Sequence, residues 1–126
     1  MIAADDRTGA LEVAGECAAR DGVPVLVAPL DAPLRDDADR VVVDLGSRHV
    51  AADDAAARAA SVAALGAVRH AHKIDSGLRG NWAAEVAARR AAGSRPTVVV
   101  AALPAVGRTC RDGVVGAELD GRFVPI

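Results

Sequence analysis

Short runs of Val, Ile and Leu recur along this chain, and between most of them lie Ala-rich stretches of helical length. That alternation narrows the fold more than any other feature. Residues 2–5 read as a short strand. Residues 8–20 read as a helix, with Thr8 as a plausible N-cap, an apolar recurrence through Leu11, Ala14, Cys17 and Ala18, and Gly22 as its C-cap. Strands are predicted over 24–28, 40–44, 68–74 and 96–101. Helices are predicted over 53–65, closed by Gly66, and over 81–92, ended by Gly93. Asp53 and Asp54 suit the positive end of the first of these. Residues 29–39 are a Pro/Asp-rich loop. Val41, Val42 and Val43 are apolar without interruption, as in a strand covered on both faces. The order β-α-β-β-α-β-α-β predicts an α/β fold: a three-layer, mostly parallel, doubly wound (Rossmann-like) sheet. The tail departs from it. Residues 114–118 and 122–126 flank Leu119-Asp120-Gly121, the signal of a C-terminal β-hairpin.

Composition excludes several classes. With 126 residues the chain is one domain's worth, and 52% hydrophobic against 25% charged residues is a globular balance. A net charge of −2 gives no basic excess for nucleic acid or a membrane surface. The apolar runs at 23–30 and 97–106 fall short of the ~20 residues that cross a bilayer, and MIAADD is not a secretion signal. Cys17 and Cys110 lack metal-ligand spacing and read as buried or free thiols of a reducing, cytoplasmic compartment. Ala is about a quarter of the chain, and Trp82 and Phe123 are its only aromatics. A core of Ala, Val and Leu buries little area per side chain, so modest stability is expected of the chain alone. The single Lys73, single Asn81 and single Trp82 fall together within ten residues.

In open α/β sheets ligands sit outside the carboxyl ends of the strands. Asp5, Asp6, Thr8 and Gly9 follow the first strand there. Asp44, Ser47, Arg48 and His49 follow the third. Lys73, Asp75, Ser76, Gly77, Arg79, Gly80 and Asn81 follow the fourth, and Gly107, Arg108 and Thr109 follow the fifth. Solvation alone explains this one-edge distribution poorly. Asp5 and Asp6 also suit a helix start; adjacent strand-end residues face opposite ways, so one is expected to be structural and Asp6 to face the crevice. His49 reads as a loop histidine. His70 and His72 share a strand face, with no third metal ligand in view. Residues 73–81 carry the strongest signal: two cations, a hydroxyl and two glycines between a strand and a helix. Such a loop suits a small hydroxylated anion. A P-loop, a dinucleotide fingerprint and a GxSxG elbow are all missing from the sequence.

At these residues the chain resembles the substrate-binding, N-terminal domain of the four-carbon acid sugar kinase family. Residues 5–10 look like its DDxTGA opening. Asp44 with Ser47-Arg48-His49 looks like its D-T-x-S-R segment, residues 73–81 like KIDSTxRGN, and Pro104 with Gly107-Arg108-Thr109 like P-x-x-GRT. Gly77 and Leu45 stand where the family has Thr, and Arg7 where it has an apolar residue. The resemblance implies phosphorylation of a terminal hydroxyl on an erythronate, threonate or 3-oxo-tetronate. ATP and Mg²⁺ would be the cofactors, held by a C-terminal domain with a GGDT-type motif that residues 1–126 do not include. It implies a sugar-acid site of Asp5, Asp6, Arg48, Lys73, Asp75, Ser76, Arg79 and Arg108. Arg48, Lys73 and Arg79 would hold the carboxylate or steady phosphoryl oxygens. Asp6 and Asp75 are the candidate catalytic residues, orienting the attacking hydroxyl. No metal ligand is assigned. The expected partners are the sugar acid and the missing kinase half, with self-association left open. Binding without turnover is expected of this chain by itself. The alternatives are a non-catalytic remnant or small-anion binding module, and a phosphatase with a first-strand Asp nucleophile. The phosphatase would want a second acid two residues on, where Arg7 and Thr8 stand.

Overall fold

The computed structural model describes residues 1–35, 37–93 and 96–126; Asp36, within the predicted 29–39 loop, and Ser94 and Arg95 lie outside them. The elements in chain order are β1 (Ile2–Ala4), α1 (Arg7–Asp21), β2 (Leu26–Pro29), β3 (Val41–Asp44), α2 (Ala52–Ala63), β4 (Ala71–Lys73), α3 (Trp82–Ala92), a 3₁₀ turn (Pro104–Val106), β5 (Arg108–Arg111), β6 (Val114–Leu119) and β7 (Arg122–Pro125). The first four strands form a parallel sheet in the order β2-β3-β1-β4, and the last three form a separate antiparallel sheet in the order β5-β6-β7.

The valine run at β3 behaves as its sequence predicts. Val41 and Val43 join Ala3, Leu45, Ala59 and Val62 on one face of the sheet, while Val42 joins Ala4, Ala10 and Ala14 on the other. Helix α1 therefore covers one face and α2 the opposite one, which makes three layers. Alanine is what lets them close: Ala3, Ala4, Ala10, Ala55 and Ala59 are all at 0% exposure, so each methyl group is fully used. Helix α3 packs on α2.

Several boundaries differ from the sequence reading. The N-cap of α1 is Asp6, whose carboxylate accepts the Gly9 N–H at 2.8 Å, and not Thr8. A carboxylate is a stronger acceptor than a hydroxyl and also meets the positive end of the helix. Gly22 closes α1 in the left-handed conformation, as expected. Helix α2 stops at Ala63, before Leu65 and Gly66. The predicted fifth strand over 96–101 does not form. That stretch runs beside β4 across a groove of about 760 Å³ and carries no hydrogen-bond ladder. The expected C-terminal hairpin is present as β6–β7, turning through Asp120 (φ 48°) and Gly121 (φ 72°). Strand β5 extends it through a second tight turn at Asp112 (φ 50°) and Gly113 (φ 81°). Gly116 of β6 lies under the Phe123 ring; a Cβ there would come within 2.5 Å of the ring carbons. Cys17 and Cys110 are free thiols, the second exposed.

Candidate functional site

Strand β1 is central, and its carboxyl end lies between those of β3 and β4: Ala4 is in register with Asp44 on one side and Lys73 on the other. Asp5 and Asp6 therefore emerge between the two loops that carry Arg48 and Asp75. The β3 loop is pinned to them by the main chain, since Leu45 N–H donates to Ala4 O at 2.8 Å and Ser47 N–H to Asp5 O at 2.9 Å. Asn81 fastens the same loop from the start of α3. Its amide donates to Ser47 O and Val50 O, at 2.9 Å each, instead of capping its own helix.

Arg48 is the hub of an ion group built on this frame. Its Nε and Nη2 donate to the two oxygens of Asp5 at 2.8 and 3.1 Å, its Nη1 meets Asp6 at 2.7 Å, and its Nη2 stands 3.5 Å from Asp75. Asp5 is 1% exposed and Arg48 retains 14% of its side-chain exposure. A buried carboxylate is tolerated because the planar guanidinium pairs it bidentately. The Asp5 hydrogen bonds raise the Arg48 pKa above its ordinary value, against the pull of burial. Gly80 permits the close approach of this residue. It sits at φ 81°, and a Cβ would lie 3.0 Å from the Arg48 Cγ and 3.3 Å from its backbone.

Residues 75–79 fold around the Asp75 carboxylate. Oδ2 accepts the backbone N–H of Gly77 at 2.9 Å and of Arg79 at 3.3 Å, and the Arg79 side chain closes on both oxygens at 2.9 and 2.7 Å. The Arg79 hydrogen bonds, helped by those backbone donors, hold Asp75 far below the usual carboxylate range although burial opposes them. Lys73 runs alongside α1 past Gly9. Its Nζ donates to Ile74 O at 3.0 Å and stands 3.4 Å from Glu12.

Asp5, Asp6, Arg48, Asp75 and Arg79 thus stand as one connected group, with Lys73 beside the Asp6 cap. Ser76 is exposed and lines a cavity of about 210 Å³ with Lys73 and Asp75 on one side and residues 100–103 on the other. Arg108 lies apart, opening β5 in the second sheet; among the described residues no side-chain hydrogen bond or ion pair links it to the group. Arg48 reaches both adjacent acids, Asp5 at 1% side-chain exposure and Asp6 at 25%. Sequence reasoning missed Glu85, a fully buried carboxylate in α3 that accepts from Ser47 and pairs with His72. Its signal was a single acid in the otherwise apolar first turns of an Ala-rich helix.

The chemistry the group can perform follows from which atoms are still available. Arg48 has its donors directed at carboxylates. Lys73 and Arg79 are the cations of this group that solvent reaches, at 28% and 72% side-chain exposure, and Asp6 keeps 25%. The arrangement suits a small molecule bearing one negative charge and several hydroxyls. It does not suit a nucleotide triphosphate. The backbone donors at Gly77 and Arg79 are taken by Asp75, and the Gly9 N–H is taken by Asp6, so neither loop offers an open phosphate cradle. Among the described residues no three His, Cys, Asp or Glu side chains are grouped to hold a metal ion. No helix among them is long and apolar enough to cross a membrane.

Comparison with known proteins gives the family of the chain. The family described as the sugar-binding N-terminal domain matches residues 1–125. The chain belongs to that family. Its relatives include a D-threonate kinase of Cupriavidus necator, 42% identical over 119 residues, and a D-threonate kinase of Salmonella typhimurium, 38% identical over 122 residues. Each alignment takes in 90% of this chain and 28% of the relative, so the sugar-binding domain here spans just over a quarter of those kinases. A solved structure from Bordetella bronchiseptica, a domain of unknown function crystallised with bound citrate as a domain-swapped dimer, superposes with a TM-score of 0.73. It is 31% identical, over 92% of this chain and 32% of that one. The resemblance read from the four sequence motifs is thereby established at the level of the family.

Proposed function

We propose that residues 1–126 are the sugar-acid-binding part of an ATP-dependent kinase for four-carbon sugar acids of the D-threonate type, and that this chain binds the acid without turning it over. The observation that carries the reading is the Arg48-centred ion group at the carboxyl ends of β1, β3 and β4, with Lys73 open beside it. In this reading Lys73 and Arg79 take the carboxylate of the acid. Asp6 and Asp75 would share their carboxylates between the present partners and the hydroxyls of the acid, accepting hydrogen bonds from them, and in the whole kinase they would orient the hydroxyl to be phosphorylated. Ser76 supplies a further hydroxyl at the rim. Asp5 and Arg48 hold the frame. In this reading ATP and Mg²⁺ would be held outside residues 1–126, since the residues here do not fit them, and an ATP-dependent reaction suits a cytoplasmic location.

Calorimetry with D-threonate, D-erythronate and L-threonate tests the site. Lys73→Ala is expected to weaken the preferred acid at least about tenfold, which is ~1.4 kcal/mol; equal binding by parent and variant would remove Lys73 from the site. Mixing the chain with ATP, Mg²⁺ and D-threonate is expected to release no ADP. Steady ADP release would overturn the claim of binding without turnover.

A further inference from the structure

Glu85 is the one fully buried residue of α3, at 0% exposure, in a helix whose other positions are small or partly open. An isolated carboxylate in that place would be strongly unfavourable, so its partners explain why it is there. Oε1 accepts the Ser47 hydroxyl at 2.5 Å and Oε2 stands 2.8 Å from His72 Nε2. Burial pushes the Glu85 carboxyl up; the His72 and Ser47 hydrogen bonds pull it further down, leaving it below its ordinary range.

The two partners belong to the two loops of the site. Ser47 precedes Arg48, is itself at 0% exposure, and donates its N–H to Asp5 O. His72 precedes Lys73 on β4 and keeps 8% of its side-chain exposure. Side chains alternate along a strand, so His72 points to the face opposite Lys73. One carboxylate beneath the sheet edge therefore grips two segments: the one whose next residue, Arg48, is the hub of the ion group, and the one whose next residue, Lys73, stands beside it. Charged groups around it are few: Arg48 acts on it through space, and Arg89, one turn along α3, donates to Ala71 O on β4.

We propose that Glu85 is a positioning residue for the sugar-acid site, fixing the β3 loop that presents Arg48 against the β4 strand that presents Lys73. The proposal rests on the site reading above for its ligand, but the geometry it asserts can be measured without one. A carboxylate serving only core stability would, when altered, loosen the whole sheet together. A positioning carboxylate loosens the Arg48 end alone.

The test uses Glu85→Gln, which keeps the shape, and Ser47→Ala, which removes one arm. In each, hydrogen exchange at the Arg48 Nε–H is compared with exchange at the Val42 amide in the sheet centre. The expected result is an acceleration of at least about tenfold at Arg48 with the Val42 rate unchanged, and a D-threonate Kd raised about tenfold in the same samples. Equal acceleration at both probes, or none at Arg48, would overturn the positioning role. If the parent chain ignores D-threonate while the two variants show the selective Arg48 response, the proposed ligand is refuted and the role of Glu85 in placing Arg48 stands.

Discussion

Two valine triplets meet opposite fates. Val41, Val42 and Val43 are 7%, 0% and 1% exposed, whereas Val98, Val99 and Val100 are 84%, 48% and 75% exposed. The same three side chains in succession thus build the centre of one region and lie open in the other. The difference comes from neighbours. β3 has β2 and β1 hydrogen-bonded on either side and a helix on each face. Residues 98–100 lie beyond β4, and among the described residues a groove, lined also by Val86, Arg89 and Ala92 of α3, stands in place of a ladder. An apolar run is thus a capacity for burial, and partners on the strand edges and both faces decide whether it is used.

The sharpest way to break this contrast is native-state hydrogen exchange. The amides of Val42 and Val43 are expected to exchange at least about 10³-fold more slowly than those of Val98, Val99 and Val100. Equal protection would make the second triplet a sheet strand and erase the distinction. Next in size is the ion group of the packed region. Asp5→Ala leaves the Arg48 guanidinium without its bidentate partner and is expected to cost about 3 kcal/mol in urea unfolding. Asp37→Ala, in the solvent-exposed Arg35 pair, should leave the midpoint where it was. Truncating the triplets themselves gives a smaller and more direct measure. Val42→Ala is expected to cost about 2 kcal/mol, against less than about 0.5 kcal/mol for Val98→Ala.

The smallest effect is on acid sensitivity. The Asp75 carboxyl is held far below its unfolded value, first by the Arg79 side chain. As pH falls, the unfolded chain therefore takes up that proton before the folded one. The stabilisation is whole above about pH 5 and is lost as pH drops below about 4. Arg79→Ala raises the Asp75 pKa toward the ordinary carboxylate range and flattens that part of the loss. Urea midpoints taken from pH 7 down to pH 2 compare the two, and parallel curves would show that Arg79 does not control Asp75. The second sheet supplies a control, because its own ion pair, Arg111 with Glu118, lies elsewhere on the chain.

Much of the packed region was readable from residue order. The Ala-rich spacing gave the helices, the β3 triplet gave a strand covered twice, and Gly22 gave a helix end. In the second sheet the Asp120-Gly121 pair lies between two apolar runs and so signals its hairpin, whereas the same pair at Asp112-Gly113 follows the polar stretch Arg108–Arg111, which carries no strand pattern for β5. Within the site, charged residues between strand and helix were visible as candidates, but their pairing was not. That Arg48 faces Asp5 and Asp6 across 43 and 42 positions depends on β1 lying beside β3, which no local pattern records. Arg108 read as a site residue because a fifth strand was expected before it. Without that strand, Arg108 opens the antiparallel sheet instead.

Residue order was enough for the alternating α/β plan, the chemical types gathered at one sheet edge and the kinship they carry, because propensity, periodicity and motif spacing are properties of neighbouring residues. Tertiary structure alone decided the strand order, the exposure of Val98 to Val100, the withdrawal of Arg48 into its carboxylates and the buried grip of Glu85 on Ser47 and His72. Each of those is a contact between segments distant in the chain, and its free energy exists only once the sheet has brought them together.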